Sequence, residues 1–246
     1  MAVRDFTSQR LFVDQALAAG ESVALSSDQS HYLRAVLRMP DGAHLLVFNG
    51  REGEWAATLR HNGKRGATLD LETMTRPQAG GPDIVYAFAP LKRSRLDYMV
   101  QKATELGVAA LQPILTQHTI AERLNLDRMR ANVIEAAEQC GVLRIPELHP
   151  PLSFASWLDQ SPVTRPIIYC DEAAPHANPI DALARISPGP STVVVGPEGG
   201  FSAAERARLH SLGHVHAIAL GPRIMRADTA AIAALALVNA VLGDWR

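Results

Sequence analysis

The pattern of apolar and polar positions changes character along the chain. Up to about residue 75 the apolar residues come in short runs with strand-like alternation, broken by turn residues. "RLFV" (10–13), "HLLVFNG" (44–50), "EWAATLR" (54–60) and "GATLDLETM" (66–74) read as strands, with turns at "PDG", "NGREG" and "HNGKRG". Within this region "SSDQSHYLRAVLRM" (26–39) predicts one capped helix with Tyr32, Leu33, Val36 and Leu37 on a common face. The pattern fits a small β-barrel carrying one helix. A core of about 75 residues is marginal alone, so this region should lean on a partner domain.

"TRPQAGGPD" (75–83) crowds Pro and Gly together and predicts a linker. Beyond it the pattern alternates. "DIVYAFAP" (83–90), "AALQPIL" (109–115), "PIIYC" (166–170), "STVVVG" (191–196) and "HAIALG" (216–221) read as strands. "SRLDYMVQKATEL" (94–106) and "DRMRANVIEAAEQC" (127–140) read as amphipathic helices stopped by Gly107 and Gly141. The strands are apolar throughout, as in a parallel sheet covered on both faces, so this part is an α/β domain.

Composition narrows the classes. Of 246 residues, 47% are hydrophobic and 20% charged, which supports a packed core and excludes general disorder. A formal net charge of −1 argues against a non-specific polyanion binder but permits a local basic patch for RNA. The charged start "MAVRDFTSQRLFV" does not resemble a signal peptide. "TAAIAALALVNAVLG" (229–243) is too short for a membrane span and contains Asn239, so it predicts a buried helix. The expectation is a cytoplasmic protein away from membranes. Cys140 and Cys170 have no metal-ligand spacing and read as small apolar side chains, and the nine histidines form no ligand cluster; no metal is expected.

Chemistry concentrates at strand ends, where open α/β sheets bind ligands. Three are unusual: "YCDE" (169–172), "VVVGPEGGFSAAE" (193–205) and "LGPRIMRADTA" (220–230). In the second, Gly196, Gly199 and Gly200 let a ligand approach the main chain, Pro197 stiffens the turn, and Ser202 with Glu205 makes an S-x-x-E capping box. A tight strand-to-helix turn accounts for the same residues. The segment lacks the Lys-Ser/Thr of a phosphate loop, which disfavours a nucleotide-phosphate enzyme. In the third, Gly221 and Pro222 turn the chain, Ile224 and Met225 follow, and Arg226, Asp228 and Thr229 crowd a helix start. Asp228 and Thr229 suit N-capping. Arg226 opposes the helix dipole and calls for a polar ligand or an acidic partner such as Glu198.

These stretches, with "HYLRAVLRMPDG" (31–42), "QKATELGV" (101–108) and "EAAEQCGVLRIPEL" (135–148), resemble the SPOUT superfamily of RNA methyltransferases. Within it the resemblance is to the branch that methylates N3 of a uridine in small-subunit (16S) ribosomal RNA. It runs over nearly the whole chain; Asp228 stands where the pattern has Glu, and Met225 where it has Leu. The resemblance implies a PUA-like RNA-binding β-barrel over 1–75. It implies a SPOUT domain over 76–246, with a parallel sheet, a deep trefoil knot, a cofactor site and a homodimer interface. It also implies S-adenosylmethionine as cofactor, held by the loops at 196–200 and 220–226: Gly196, Pro197, Glu198, Gly199, Gly200, Leu220, Gly221, Ile224, Met225, Arg226 and Thr229.

Uridine N3 must lose its proton for methyl transfer, so a base or a cation facing the uridinate should contribute. Arg226 is the expected cation, with Glu198 or Asp228 as base or as the group that orients it. For RNA, Arg10 and the trio His31, Arg34 and Arg38, which would share a helix face, are expected in the first domain, and Lys92, Arg93 and Arg95 past a strand end in the second. An ordinary solvated helix face explains the trio equally. Two other readings stay open: a superfamily methyltransferase acting at another RNA site, and a noncatalytic dimeric RNA-binding module.

Overall fold

The computed structural model describes residues 5, 7–120, 124–174 and 178–245. The chain folds into two compact units, Met1–Gly80 with Ala137–Ile145, and Gly81–Ala136 with Pro146–Arg246.

In the first unit the strands are β1 (Arg10–Phe12), β2 (Ser22–Ala24), β3 (His44–Phe48), β4 (Glu54–Asn62) and β5 (Gly66–Arg76), and the helix is α1 (Ser27–His31). They form one sheet in the order β1-β3-β4-β5-β2, with β1 parallel to β3 and the other pairs antiparallel. Leu69 and Leu71 alternate with more exposed neighbours along β5 and pack with Val23, Leu33, Leu45, Val47 and Leu59. The period-2 pattern thus becomes one core face.

The helix departs from expectation. Ser26 and Gln29 cap α1 reciprocally as a capping box, but α-geometry ends at His31 and a π-helical turn, Tyr32–Val36, follows. Arg38 lies beyond it with φ of 54°, outside any helix. Met39 precedes Pro40, which disfavours continuing the helix. His31, Arg34 and Arg38 therefore do not form one helical stripe.

The second unit holds β6 (Ile84–Phe88), α2 (Arg93–Glu105), β7 (Ala110–Leu115), α3 (Leu126–Cys140), β8 (Glu147–Leu148) and β9 (Leu152–Ser153). There follow α4 (Phe154–Gln160), β10 (Ile167–Cys170), α5 (Pro179–Leu183), β11 (Ser191–Val195), α6 (Ala203–His210), β12 (Val215–Ile218) and α7 (Ala227–Val241). The last residues of α3 group with the first unit. The seven strands form a parallel sheet in the order β12-β10-β11-β6-β7-β8, with β9 also on β7. All five residues of β11 are buried, the signature of a strand covered on both faces. From β6 the chain moves one way, to β7; from the adjacent β11 it moves the other way, to β12. The β6–β11 boundary is thus a topological switch point, where such sheets open a crevice.

Asn239 is fully buried in the apolar helix α7. Its amide donates to the carbonyl of Leu106, one of the orphan acceptors at the end of α2, at 2.8 Å. The polar residue inside the apolar run thereby pins α7 to α2. Among the described residues no helix is long and apolar enough to cross a membrane.

Candidate active site

A cavity of about 630 Å³ opens at the carboxyl ends of the adjacent strands β12, β10 and β11. Its walls are the ends or following loops of all three: 170–172, 195–201 and 220–227, with Ala230 of α7. The three strand ends singled out in the sequence thus converge on one site. Gly196, Pro197, Glu198, Gly199, Gly200, Leu220, Gly221, Ile224, Met225 and Arg226 all line it, whereas Asp228 and Thr229 do not.

The glycine loop is built for close approach. A Cβ on Gly196 would come within 2.9 Å of the Phe201 ring, so only glycine lets that ring fold under the loop. Gly200 takes φ of 68°, and a Cβ there would lie 3.2 Å from a Glu172 carboxylate oxygen. The Gly200 amide donates to the Pro197 carbonyl at 2.8 Å, which closes the turn. Ser202 and Glu205 form the expected capping box at the start of α6. One Glu205 oxygen accepts the Ser202 N–H at 2.8 Å, and the other accepts the Gln117 N–H at 2.9 Å. His118 Nδ1 lies 3.1 Å from the carbonyls of both Gly199 and Gly200. Carbonyls only accept, so this nitrogen carries the proton. The loop after β7 thus props the glycine loop. No sequence motif marked His118, because contact between residues 81 apart leaves no local signal.

Arg226 is the N-cap residue of α7 and makes no side-chain cap. It is exposed and lines the cavity, and among the described residues its guanidinium has no hydrogen bond or ion pair. A cation at the positive end of a helix is unfavourable by roughly 0.3–1 kcal/mol unless a ligand or partner answers it. Asp228, in the first turn, accepts the Thr229 N–H at 2.9 Å, which suits the helix dipole. Glu198, expected as an acidic partner for Arg226, instead forms an ion pair with Arg95 in the first turn of α2. That pair spans the switch point, from the loop after β11 to the helix after β6. Lys92, the N-cap of α2, and Arg93 flank Arg95, and the helix has neither a side-chain cap nor an acidic first-turn residue.

Asp171, at the end of β10, is 2% exposed yet fully served. It accepts the Ala173 N–H at 3.0 Å, Arg206 at 3.1 Å and His210 Nε2 at 2.9 Å. Burial pushes the Cys170 thiol up to about 12, leaving a neutral sulfhydryl on the cavity wall. Among the described residues no group of three or more His, Cys, Asp or Glu is placed to hold a metal ion.

The residues expected to meet RNA in the first unit separate. Arg10 is 6% exposed and ion-paired to Glu54 at 3.0 Å, so it faces the interior rather than a nucleic acid. The Arg34 guanidinium donates to the carbonyls of Gly63, Lys64 and Gly66 and so holds the β4–β5 turn. His31 and Arg38 are exposed.

Residues 80–239 match the model of an RNA methyltransferase domain, and residues 25–72 that of an RNA methyltransferase PUA domain. Ribosomal RNA small subunit methyltransferase E of Rickettsia conorii is 31% identical, over 94% of this chain and 94% of the relative. Its namesake from Synechocystis is 32% identical, over 95% of this chain and 78% of the relative. The crystal structure of a ribosomal RNA small subunit methyltransferase E from Neisseria gonorrhoeae, bound to S-adenosyl methionine, superposes with a TM-score of 0.84 at 27% identity. It covers 97% of this chain and all of that one.

Proposed function

The chain belongs to the ribosomal RNA small subunit methyltransferase E family, and from that premise we propose that it methylates N3 of one uridine in 16S ribosomal RNA, with S-adenosylmethionine as donor. The reading rests on the cavity of about 630 Å³ enclosed by two glycine-bearing loops at three adjacent strand ends. Its size is that of small-molecule sites, and its wall mixes apolar side chains (Val195, Phe201, Leu220, Met225) with loop backbone and a few charges. Such a wall suits a molecule with a flat heterocycle at one end and ionised groups at the other. The glycine loop would meet the adenine and ribose through its backbone.

The donor supplies an electrophilic methyl group on a sulfonium. The chain's own residues have to position the uridine in line with it, accept the N3 proton and answer the charge left on the base. Arg226, on the cavity wall without a partner, is assigned to the O2 or O4 oxygen on which that charge develops. Of the two carboxylates considered as base, Glu198 lines the cavity and Asp228 does not, which favours Glu198. Freed from Arg95, it would take the N3 proton. The target nucleotide has to leave its stack to reach the site.

Lys92 and Arg93, beside that ion pair, are assigned to the RNA backbone, with Arg95 joining them when Glu198 is released. Residues 1–75 are assigned as the PUA-like RNA-binding domain and 76–246 as the knotted catalytic domain, working in the cytoplasm. Ile232, Ala233, Ala236, Leu237 and Val241 leave an incompletely covered apolar stripe on α7, which supports a homodimer. Mass spectrometry of 16S ribosomal RNA from a strain lacking the gene tests the assignment. One 3-methyluridine should vanish and return on complementation; an unchanged nucleoside profile would overturn it.

A further inference from the structure

Three carboxylates line the cavity among the described residues: Asp171, Glu172 and Glu198. Asp171 is saturated by Ala173, Arg206 and His210. Glu198 is ion-paired to Arg95. Among the described residues Glu172 alone of the three has no hydrogen bond or ion pair; it feels the charge of Arg206 only at longer range and stays exposed to the cavity. Its position is nonetheless fixed. The backbone carbonyl of Asp171 accepts the Ala174 N–H at 3.1 Å, so residues 171–174 form a turn anchored by the buried Asp171 side chain. That turn sets Glu172 against the glycine loop, with a carboxylate oxygen 3.2 Å from the place a Gly200 Cβ would take.

We infer that Glu172 is a cofactor-contacting residue whose carboxylate answers the positive charge of the sulfonium donor, so that the pocket holds the charged donor in preference to its neutral-sulfur product. The inference rests on the proposed use of S-adenosylmethionine and adds a discrimination that reading does not contain. The physical basis is a difference of charge. The donor carries a sulfonium, an ammonium and a carboxylate, and methyl transfer leaves a thioether in place of the sulfonium. An unpaired carboxylate on the wall therefore loses a favourable Coulomb interaction when the reaction is complete, and product leaves more readily than donor. Neither Asp171 nor Glu198 can serve this way without first giving up a partner. Arg223 and Arg226, the cations lining the cavity among the described residues, oppose the same charge, and the Glu172 carboxylate offsets them.

Calorimetric dissociation constants for S-adenosylmethionine and S-adenosylhomocysteine, measured on the intact protein and on Glu172→Gln, test this. The substitution keeps the size of an exposed side chain and removes only charge. It should weaken the donor about tenfold and the product about twofold or less, so that the preference for donor collapses; a tenfold change is about 1.4 kcal/mol. Glu172→Asp, which keeps the charge, should retain part of the preference. Equal weakening of both ligands would overturn the inference and identify a hydrogen bond to their common part instead. An unchanged ratio with unchanged affinities would overturn it as well. Failure of the unsubstituted protein to bind either ligand would remove the proposed cofactor, and this inference with it.

Discussion

Glu54 and Glu198 are both glutamates held by arginine, and they sit in opposite surroundings. In the first unit Glu54 is 2% exposed and takes Arg10 at 3.0 Å and Arg76 at 2.5 Å, with the Thr75 hydroxyl at 2.8 Å. Arg76 also donates to the Gly141 carbonyl at 3.1 Å, which ties the 137–145 segment to the sheet of its own unit. In the second unit Glu198 is 47% exposed, has Arg95 as its ion-pair partner, and stands on a cavity whose other wall carries a partnerless Arg226. A buried ion pair with every lone pair served is a fixed joint: its charges left water once, on folding, and removing one strands the others. A half-exposed pair gains little and exchanges partners readily. The contrast separates arginines that hold the fold from arginines available to a substrate.

The largest effect should come from breaking the buried joint. Glu54→Ala leaves the Arg10 and Arg76 guanidiniums without their carboxylate, and the unfolding free energy should fall by about 3–5 kcal/mol. Urea unfolding followed by tryptophan fluorescence reads this, since Trp55 is the next residue on β4. If stability is unchanged while RNA affinity drops, the cluster belongs to the binding surface and the contrast fails. Next comes the partnerless cation. Arg226→Ala should lower the methylation rate by about 10²–10³ while the donor's dissociation constant stays within about threefold. Single-turnover kinetics beside calorimetry makes the split visible. Equal losses in rate and donor binding would reassign Arg226 to holding the cofactor.

The same contrast explains what could be read from the sequence. Five of the strands after residue 83, the helices α2 and α3, the capped start of α6 and the three unusual strand ends are legible, because periodicity, capping and glycine loops are local signals; the order of the strands in the sheet is not. Ten of the eleven cofactor residues anticipated from the loops do line the cavity, and Thr229 points to the limit. At a helix start, one residue further along swings a side chain about 100° around the axis, so a linear motif overshoots the wall. The burial of Arg10 leaves no local trace for another reason. Its partner is 44 positions away, and nothing in "SQRLF" says whether an arginine ends in water or against a buried carboxylate. The helix expected over 26–39 hid its π-turn because Tyr32, Leu33 and Leu37 reach the core in either geometry; Val36, expected on the same face, is instead 60% exposed. β8, β9 and α5 span two to five residues, too few for any period to show.

A smaller effect distinguishes the cations by salt. If Lys92 and Arg93 each meet one phosphate of an unpaired strand, replacing either by Ala should reduce the slope of log affinity against log salt by about 0.7. Arg10→Ala should leave that slope unaltered and lower stability instead, since its charge is spent on Glu54. Filter binding of a small-subunit RNA fragment across salt concentrations measures both. A slope change for Arg10→Ala equal to that for Arg93→Ala would place Arg10 on the RNA after all.

The smallest effect is in acid. Burial raises the Glu54 carboxyl, but hydrogen bonds from Arg76, Thr75 and Arg10 and the Arg76 charge outweigh it and hold the group below its ordinary value of 4.5. A carboxyl whose folded value is depressed stabilises the fold fully above its unfolded value. That contribution is lost as pH falls from about 4.5 through the lower folded value. Glu54→Gln has no proton to gain there. The stability gap between the parent protein and this variant should therefore be constant near neutrality and narrow progressively below pH 4.5. Thermal unfolding of both proteins at a series of acidic pH values reads the gap directly, and the acid response of every other carboxylate, including half-buried Asp70, cancels between them. A gap that stays the same on acidification would mean Glu54 is no better served in the folded unit than in the unfolded chain, and the fixed joint would reduce to packing alone.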